Sequence, residues 1–215
     1  MKKVLKNVSF VILLLKMCII FGQEIDAQKR IVIDVGHGGK DTGAIGTNSI
    51  QEKDIVLSIA KEIIRLNKTL LNDTFYMYST RYRDTLISLL DRSRLAESLT
   101  ADLFVPLHCN SSHSSSKGID VYVHRTNSNE ENLKESIGMG LSILEESTLK
   151  LGFKKRGVQF ANLQVLRENI PYRSSILIEV GFVTNTDEAD YFLKPNNIRA
   201  MALAILIGLY NYLNI

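Results

Sequence analysis

An alternation of β-rich runs with helical patterns is the sequence feature that most constrains the fold of this chain. Short runs of β-branched and aromatic residues predict strands near residues 31–35, 75–80, 103–107, 119–124, 164–166 and 175–180. Apolar residues at three- and four-residue spacing predict helices over 55–64, 86–99, 132–151 and 198–213. This order predicts an α/β fold with a largely parallel or mixed sheet and helices on both faces.

Length and composition favour one domain that folds without disulfide bonds. A chain of 215 residues that is 45% hydrophobic can bury a full core. Of its two cysteines, Cys18 lies in the N-terminal segment, so Cys109 is alone in the remainder. The net charge of +3 is spread along the chain, and we therefore expect no nucleic-acid partner.

The N-terminal segment has the pattern of an export signal. Lysines near the start precede an apolar run over residues 8–21, which is shorter than the roughly 20 residues that a membrane-spanning helix needs. Cleavage after Gly22 and cleavage after Ala27 both fit the sequence. We therefore expect residues 1–27 to be a signal peptide. Residues 28–215 would then form a periplasmic or secreted domain without a stable membrane span.

A histidine follows the first predicted strand within a glycine-rich turn. His37 lies in the run Gly-His-Gly-Gly at residues 36–39, and glycines there let the backbone approach a ligand closely. A phosphate-binding loop is the alternative, but the run lacks the glycine spacing of the common nucleotide-binding motifs. Open α/β sheets bind ligands outside the carboxyl ends of their strands, which is where this turn places His37.

A second histidine and a glutamate extend this pattern. His108 follows the strand predicted over residues 103–107, and Glu52 begins an amphipathic helix. A helix cap is the alternative for this glutamate, because Ser49 and Glu52 form an S-x-x-E capping box. Two histidines and one carboxylate are a common ligand set for catalytic zinc. We expect the three side chains to converge on one rim of the sheet.

Glu179 stands in a strongly apolar predicted strand, with apolar residues and a glycine around it over residues 176–182. Burial of a charged carboxylate without a partner is energetically costly, so this residue is expected to be paired, protonated or functional. A structural salt bridge to an arginine is the alternative. The position near the end of the strand favours a function instead.

Seven segments, taken in order, resemble the zinc-dependent N-acetylmuramoyl-L-alanine amidase family. They are IDVGHGGKDTGAIG, QEKDIVLSIAKEI, TRYRDTLISLLDRSRLAE, ADLFVPLHCNSS, KGIDVYV, VLRENIP and ILIEVGFVTN, and they cover nearly all of the chain after the N-terminal segment. The resemblance implies that His37, Glu52 and His108 bind one Zn²⁺ ion and that Glu179 is the catalytic base. It also implies a three-layer α/β fold with a mixed, mostly parallel sheet of about six strands and helices on both faces.

The substrate of that family is the amide between N-acetylmuramic acid and the L-alanine of the stem peptide. The resemblance therefore implies cleavage of peptidoglycan, in cell-wall turnover, daughter-cell separation or lysis. No separate wall-binding module is visible in the sequence. We therefore expect targeting to come from the catalytic groove or from a protein activator.

The sequence departs from the family pattern at three positions. Val35 stands where the family commonly has proline, and Cys109 stands where it commonly has alanine. Pro106 lies inside the strand that precedes His108 and cannot donate to a strand ladder. We expect this strand to be irregular near the proline.

Several other polar residues have weaker claims to a role. Asn110 and Asp34 are candidates for steadying a metal ligand or contacting substrate. His113 and His124 match no ligand position and are expected at the surface. Three charged residues match the family and are expected to organise the fold instead of performing chemistry: Arg81, Asp84 and Arg92.

Two other functions are compatible with parts of this pattern. A zinc carboxypeptidase or related amidohydrolase would use the same metal on a different bond, and its products would distinguish it, because an amidase releases intact stem peptides that begin with L-alanine. A non-catalytic wall-binding domain would be expected to lack a ligand or the base. All four positions are present here.

Overall fold

A computed structural model describes residues 28–126 and 128–213 of the chain. The signal peptide predicted for residues 1–27, with its two candidate cleavage points, lies outside the described residues. Within the described ranges, no helix combines the length and the apolar character needed to cross a lipid bilayer.

The described strands form one mixed sheet. Their bounds are β1 (Arg30–Val35), β2 (Tyr76–Ser79), β3 (Leu103–Asn110), β4 (Ile119–Val123), β5 (Lys155–Phe160), β6 (Ser174–Ser175) and β7 (Leu177–Phe182). The order across the sheet is β2-β1-β3-β7-β4-β5, and β6 pairs with β3. The pairs are parallel except for β4 with β7, which is antiparallel. The prediction of a mixed, mostly parallel sheet is confirmed.

Helices cover both faces of this sheet. They are α1 (Glu52–Leu70), α2 (Leu89–Ser98), α3 (Glu130–Leu151), α4 (Gln164–Asn169), α5 (Thr186–Phe192) and α6 (Pro195–Leu213). Apolar residues of α1, α3 and α6 form the larger core with one face of the sheet. Ala96 of α2 and Val165 of α4 form a smaller core with Val32 and Phe104 on the opposite face. The sheet is therefore the middle of three layers, as predicted.

The two-residue period of the strands decides which side chains belong to which core. Leu107 of β3 and Ile178 of β7 lie in the larger core. Their neighbours His108 and Glu179 therefore point to the opposite face, on which α2 and α4 pack. Both residues are only partly buried there. The same alternation that builds the apolar core thus leaves a polar row on the other side of the sheet.

Three regions differ from the predicted secondary structure. Residues 164–166 were expected to form a strand, but they begin α4, because a run of two or three apolar residues fits a short helix and a short strand equally well. Strand β5 and helix α5 were not predicted. Lys155 and Arg156 obscure the apolar pattern of β5, and charged residues of this kind are typical of edge strands.

The irregularity expected near Pro106 is present. Pro106 pairs in register with Asp34 of β1. On the other side, β3 pairs with β6 as far as Phe104 and with β7 from Leu107 onward. Pro106 therefore lies where the pairing of β3 passes from β6 to β7, at a position for which neither strand provides a registered partner. A further register shift against β7 follows between His108 and Asn110.

Helices α3 and α6 approach so closely that a glycine is required between them. A Cβ atom at Gly208 would lie 2.6 Å from the Cα atom of Ile143. We expect Gly208→Ala to lower the free energy of unfolding by about 1–3 kcal/mol, because two helix backbones would have to separate. Urea unfolding measures this difference.

Gly138→Ala is the matched control, because a Cβ atom there would meet the ring of Tyr212, a partly exposed side chain near the end of α6 that can move aside. Its effect should be small or stabilising, since alanine favours a helix over glycine. Equal losses in the two variants would contradict the proposed close contact of the backbones.

Candidate active site

His37 is presented by a tight turn that follows β1. The Gly36 N–H donates to the carbonyl oxygen of Leu107 at 3.1 Å, which continues the pairing of β1 with β3. His37 itself has a φ of 57°, in the left-handed region that few residues other than glycine adopt. A Cβ atom at Gly43 would lie 2.6 Å from the His37 ring and 2.5 Å from Glu52 Oε2. The turn therefore needs glycine where it passes the two functional side chains.

Two buried arginines hold the backbone of this turn. Arg92 donates to the carbonyl oxygens of Val35 at 2.5 Å and His37 at 2.9 Å. Arg81 donates to the carbonyl oxygens of Val35 at 3.2 Å and Gly36 at 2.8 Å. These contacts fix the strained turn from one side. The expectation that the arginines organise the fold agrees with this geometry.

Asp34 acts on the turn through Arg92. Its carboxylate is buried, lies 2.7 Å from Arg92 Nη1 and accepts a hydrogen bond from Thr80 Oγ1 at 2.8 Å. Neither contact is to His37 or His108. The sequence had suggested that Asp34 steadies a metal ligand or contacts substrate, and the structure places it in an ion pair beneath the turn.

The side chains of His37, Glu52 and His108 meet at the carboxyl ends of β1 and β3. His37 Nε2 lies 3.1 Å from Glu52 Oε1, and His108 Nδ1 lies 2.9 Å from the same oxygen. The two imidazole rings are 4.9 Å apart and nearly perpendicular. One ligand atom from each residue lies within 4.8 Å of the others. The three residues that the sequence pointed to are thus brought together.

The donor set and its dimensions fit a zinc ion. Zinc lies about 2.0–2.2 Å from histidine nitrogens and carboxylate oxygens, so two ligand atoms of a tetrahedral site are about 3.3–3.6 Å apart. The two distances to Glu52 are slightly shorter than this, and small rotations of the rings of His37 and His108 would open the space. The site therefore fits the metal that the resemblance implies.

Glu52 is oriented by backbone groups as well as by the histidines. The amides of Cys109 and Ala44 donate to its two oxygens at 2.9 and 2.8 Å. Burial alone would raise the pKa of Glu52, but hydrogen bonds from His108, His37 and the Ala44 amide hold it well below its usual value. The carboxylate is therefore charged and ready to bind a cation.

The capping-box alternative for Glu52 is not found. Helix α1 begins at Glu52, its N-cap is Gln51, and no side chain caps it. Ser49 has a φ of 67° in the preceding loop. The glutamate side chain instead turns toward the histidines.

Asp41 is a functional candidate that the sequence reasoning missed. Its Oδ2 lies 2.9 Å from His37 Nδ1, and its Oδ1 accepts a hydrogen bond from the Gly43 amide at 3.1 Å. A carboxylate on Nδ1 fixes the tautomer that leaves Nε2 free for a metal. The spacing His-Gly-Gly-Lys-Asp was a usable signal, because it returns a carboxylate to the histidine within one turn.

Glu179 lies on β7, the strand next to β3, beside the candidate metal ligands. It pairs across the β3–β7 ladder with His108 and across the β4–β7 ladder with Asp120. Burial raises its pKa to about 7, with Glu52 and Asp120 adding to the rise and His108 opposing it. Its Oε2 atom is buried and has no hydrogen-bond partner among the described residues. The described residues also include no salt bridge to Glu179, so the structural alternative is not found.

The remaining sequence candidates lie outside the triad of ligand atoms. Asn110 donates to Asp120 at 3.3 Å, on the side of Glu179 that faces β4. Cys109 is buried, and burial raises the pKa of its thiol well above the usual value, so it is an unreactive core residue. His113 is exposed, and His124 is partly buried against the carbonyl oxygen of Ala161.

A cavity of about 680 Å³ opens beside the two histidines. Its wall includes apolar side chains, acidic side chains and the two histidines of the site, namely Leu86, Leu89, Val165, Asp41, Asp91, His37 and His108. A cavity of this size holds a small organic group such as a sugar or a short peptide.

A protein-family model and several known proteins match this chain over most of its length. The family model described as N-acetylmuramoyl-L-alanine amidase matches residues 31–211. The endolysin of Bacillus phage SPP1 is 34% identical over 194 residues, which cover 87% of this chain and 67% of the endolysin. The amidase LytC of Bacillus subtilis is 37% identical over 188 residues, which cover 86% of this chain and 35% of LytC.

Solved structures are similar over the same region. The catalytic domain of the amidase CwlV from Bacillus (Paenibacillus) polymyxa var. colistinus has a TM-score of 0.75 and 31% identity, covering 87% of this chain and 99% of that one. An N-acetylmuramoyl-L-alanine amidase from Clostridium difficile 630 has a TM-score of 0.77 and 30% identity, with 87% and 97% covered.

The ion pair beneath the turn should be important for stability. Arg92→Ala would leave the buried Asp34 carboxylate without its cation, and we expect a loss of about 3–5 kcal/mol in the free energy of unfolding. Arg94→Ala, which removes an exposed partner of Asp91 on the same helix, should cost less than about 1 kcal/mol. Urea unfolding of both variants measures the contrast, and similar losses would contradict it.

Proposed function

Because this chain belongs to the N-acetylmuramoyl-L-alanine amidase family, we propose that it is an exported zinc-dependent enzyme that hydrolyses the amide between N-acetylmuramic acid and L-alanine in peptidoglycan. The observation that carries this proposal is the meeting of His37, Glu52 and His108, with Glu179 on the adjacent strand. We propose that the first three residues bind one zinc ion and that Glu179 is the general base.

The proposed chemistry divides between the metal and the protein. When bound, zinc supplies Lewis acidity that lowers the pKa of a water molecule and polarises a carbonyl group. Glu179 takes a proton from the attacking water and delivers it to the amine that leaves. Without a metal, burial raises the pKa of Glu179 to about 7, and a cation bound at the neighbouring ligands would lower it, which favours the charged form that accepts the proton.

The other residues prepare the site. Asp41 holds the His37 ring in the tautomer that exposes Nε2, and the Cys109 and Ala44 amides fix the Glu52 carboxylate. Arg81 and Arg92 hold the turn on which His37 lies. The chain thus supplies an aligned set of ligands that requires little rearrangement on binding.

Export is the part of this proposal that rests on the sequence alone. We propose that a signal peptide within residues 1–27 is removed by cleavage after Gly22 or Ala27, and that residues 28–215 act as the catalytic domain in the periplasm or outside the cell. N-terminal sequencing of the mature protein tests this. The similar amidase CwlD from Clostridioides difficile was solved in complex with the GerS lipoprotein, which makes a protein activator a reasonable object of search by pull-down.

Metal content is the first test of the proposed ligands. We expect the purified protein to contain one zinc ion per chain and the His37→Ala and His108→Ala variants to lose it, because two ligands do not hold zinc firmly. His113→Ala, which changes an exposed histidine, should keep the metal. Elemental analysis by mass spectrometry measures all four proteins. Full zinc content in both ligand variants would overturn the assignment.

The Glu179→Gln variant separates metal binding from catalysis. We expect it to retain zinc while its turnover falls about 100-fold to 10,000-fold, because glutamine keeps the size of the side chain but cannot accept the proton. Digestion of purified peptidoglycan followed by mass spectrometry measures the release of stem peptides that begin with L-alanine. Release of a carboxyl-terminal amino acid instead would favour a carboxypeptidase, and undiminished turnover in the variant would exclude Glu179 as the base.

Substitution of Asp41 tests the contact between its carboxylate and Nδ1 of His37, a proposed metal ligand. We expect Asp41→Ala to weaken zinc affinity about 10-fold to 100-fold, since the His37 ring loses the partner that fixes its tautomer. Asp91→Ala, which replaces another exposed aspartate in the wall of the same cavity, should leave the zinc affinity unchanged. Competition with a coloured chelator measures both, and equal affinities would show that the contact is not needed.

A further inference from the structure

A row of polar residues crosses the sheet beyond Glu179. The strand register pairs His108 on β3 with Glu179 on β7, Glu179 with Asp120 on β4, and Asp120 with Gly157 on β5. Directly paired residues of neighbouring strands point to the same face of a sheet. The row therefore leads from a proposed metal ligand, past the proposed base, to the edge strand β5.

Asp120 is a buried residue of this row that side-chain hydrogen bonds hold in place. Its side chain is completely buried, and it accepts hydrogen bonds from Gln159 Nε2 at 2.6 Å, Arg156 Nε at 2.8 Å and Asn110 Nδ2 at 3.3 Å. A buried carboxylate with three donors is well satisfied. Asp120 therefore holds both β5 side chains, Arg156 and Gln159, in place beside the site.

The guanidinium of Arg156 is oriented but still accessible. Its side chain is 33% exposed, and its central carbon lies 4.9 Å from the centre of the Phe182 ring. The bond to Asp120 uses Nε, the inner nitrogen. An arginine fixed in this way can still offer its terminal N–H groups to a second carboxylate, which its planar geometry matches in a bidentate manner.

The spacing of the row suits a short peptide. Adjacent strands lie about 4.8 Å apart, so β5 is about 10 Å from β7, and Arg156 reaches back toward Asp120 on the strand between them. An extended peptide advances about 3.3–3.6 Å per residue. If the first amide of a peptide is cleaved at Glu179, a carboxylate on its second residue lies about 7 Å away, within reach of Arg156.

The opposite end of the site is unsuited to an anionic group. The cavity beside His37 includes the carboxylates of Asp41 and Asp91. The basic residue in its wall, Arg92, already pairs with Asp34. A carboxylate of the substrate would be repelled there. The arginine in this cavity wall is thus already paired in the interior, whereas Arg156 at β5 is partly exposed to a substrate.

We propose that Arg156, held by Asp120, binds a carboxylate on the residue that follows L-alanine in the stem peptide. The inference rests on the proposed amidase function and adds a substrate preference to it. Stem peptides whose second residue keeps a free carboxylate are better substrates than peptides in which that group is a carboxamide. The alternative is that Arg156 only neutralises the buried charge of Asp120.

The test uses two disaccharide–tetrapeptide fragments that are identical except for a carboxylate or a carboxamide on the second residue. The kcat/KM of the zinc-loaded protein is measured on each. We expect a preference of about 10-fold to 100-fold for the carboxylate form, the range typical of hydrogen bonds to a charged group. This first measurement needs no substitution, so it stands even if a variant fails to fold.

Three variants then assign the preference to Arg156. Arg156→Gln should reduce the preference nearly to unity, because kcat/KM falls much more on the carboxylate form than on the carboxamide form. Arg156→Lys should retain part of the preference, because it keeps the charge without the bidentate geometry. Arg65→Gln, which changes an exposed arginine on α1, should keep the full preference.

The outcomes separate the inference from the function on which it rests. Equal cleavage of the two fragments by the unmodified protein would overturn the inference and leave the amidase function in place. Equal losses on both fragments in Arg156→Gln, with the preference retained, would show that the arginine is only structural. Cleavage of neither fragment, nor of whole peptidoglycan, would refute the proposed function itself.

Discussion

The burial of the Glu52 carboxylate between two imidazole rings and two backbone amides is the interaction on which the site depends. The turn after β1, the start of α1 and the end of β3 meet there, so this one side chain joins three elements of the fold. A charge that is nearly out of contact with water is tolerated because Oε1 faces both histidines and the Cys109 amide, and Oε2 accepts from the Ala44 amide. The same arrangement makes the carboxylate a strong ligand for a metal.

The alternation of side chains along each strand gives the sheet both an apolar face, which stabilises the fold, and a row of polar residues on the other face. Alternate residues of β3 and β7 fill the larger core, and two of the residues between them, His108 and Glu179, form a row that Asp120 of β4 continues. Neighbouring strands hold these groups about 4.8 Å apart, which no flexible loop could do as reliably. The proposed base and the proposed substrate subsite are therefore positioned by the same hydrogen bonds that stabilise the fold.

The turn that carries His37 is organised differently. Its left-handed backbone is unfavourable for a histidine, and the stabilising contacts come from the guanidinium groups of Arg81 and Arg92. Asp34 in turn neutralises Arg92 in the interior. Local strain at a functional residue persists only when the surrounding structure fixes it, and here buried ionic contacts provide that constraint.

The sequence by itself determined the α/β class and most strands and helices, because hydrophobic periods are local signals. It also predicted a candidate set of His37, Glu52, His108 and Glu179, from the ends of strands and from the family resemblance. It did not determine β5, whose charged residues lack an apolar pattern, or the contacts of Asp34 with Arg92 and of Arg156 with Asp120. Those depend on which side chains meet across the sheet. Only the tertiary structure decided them, since hydrogen bonds between residues tens of positions apart leave no periodic trace in the chain.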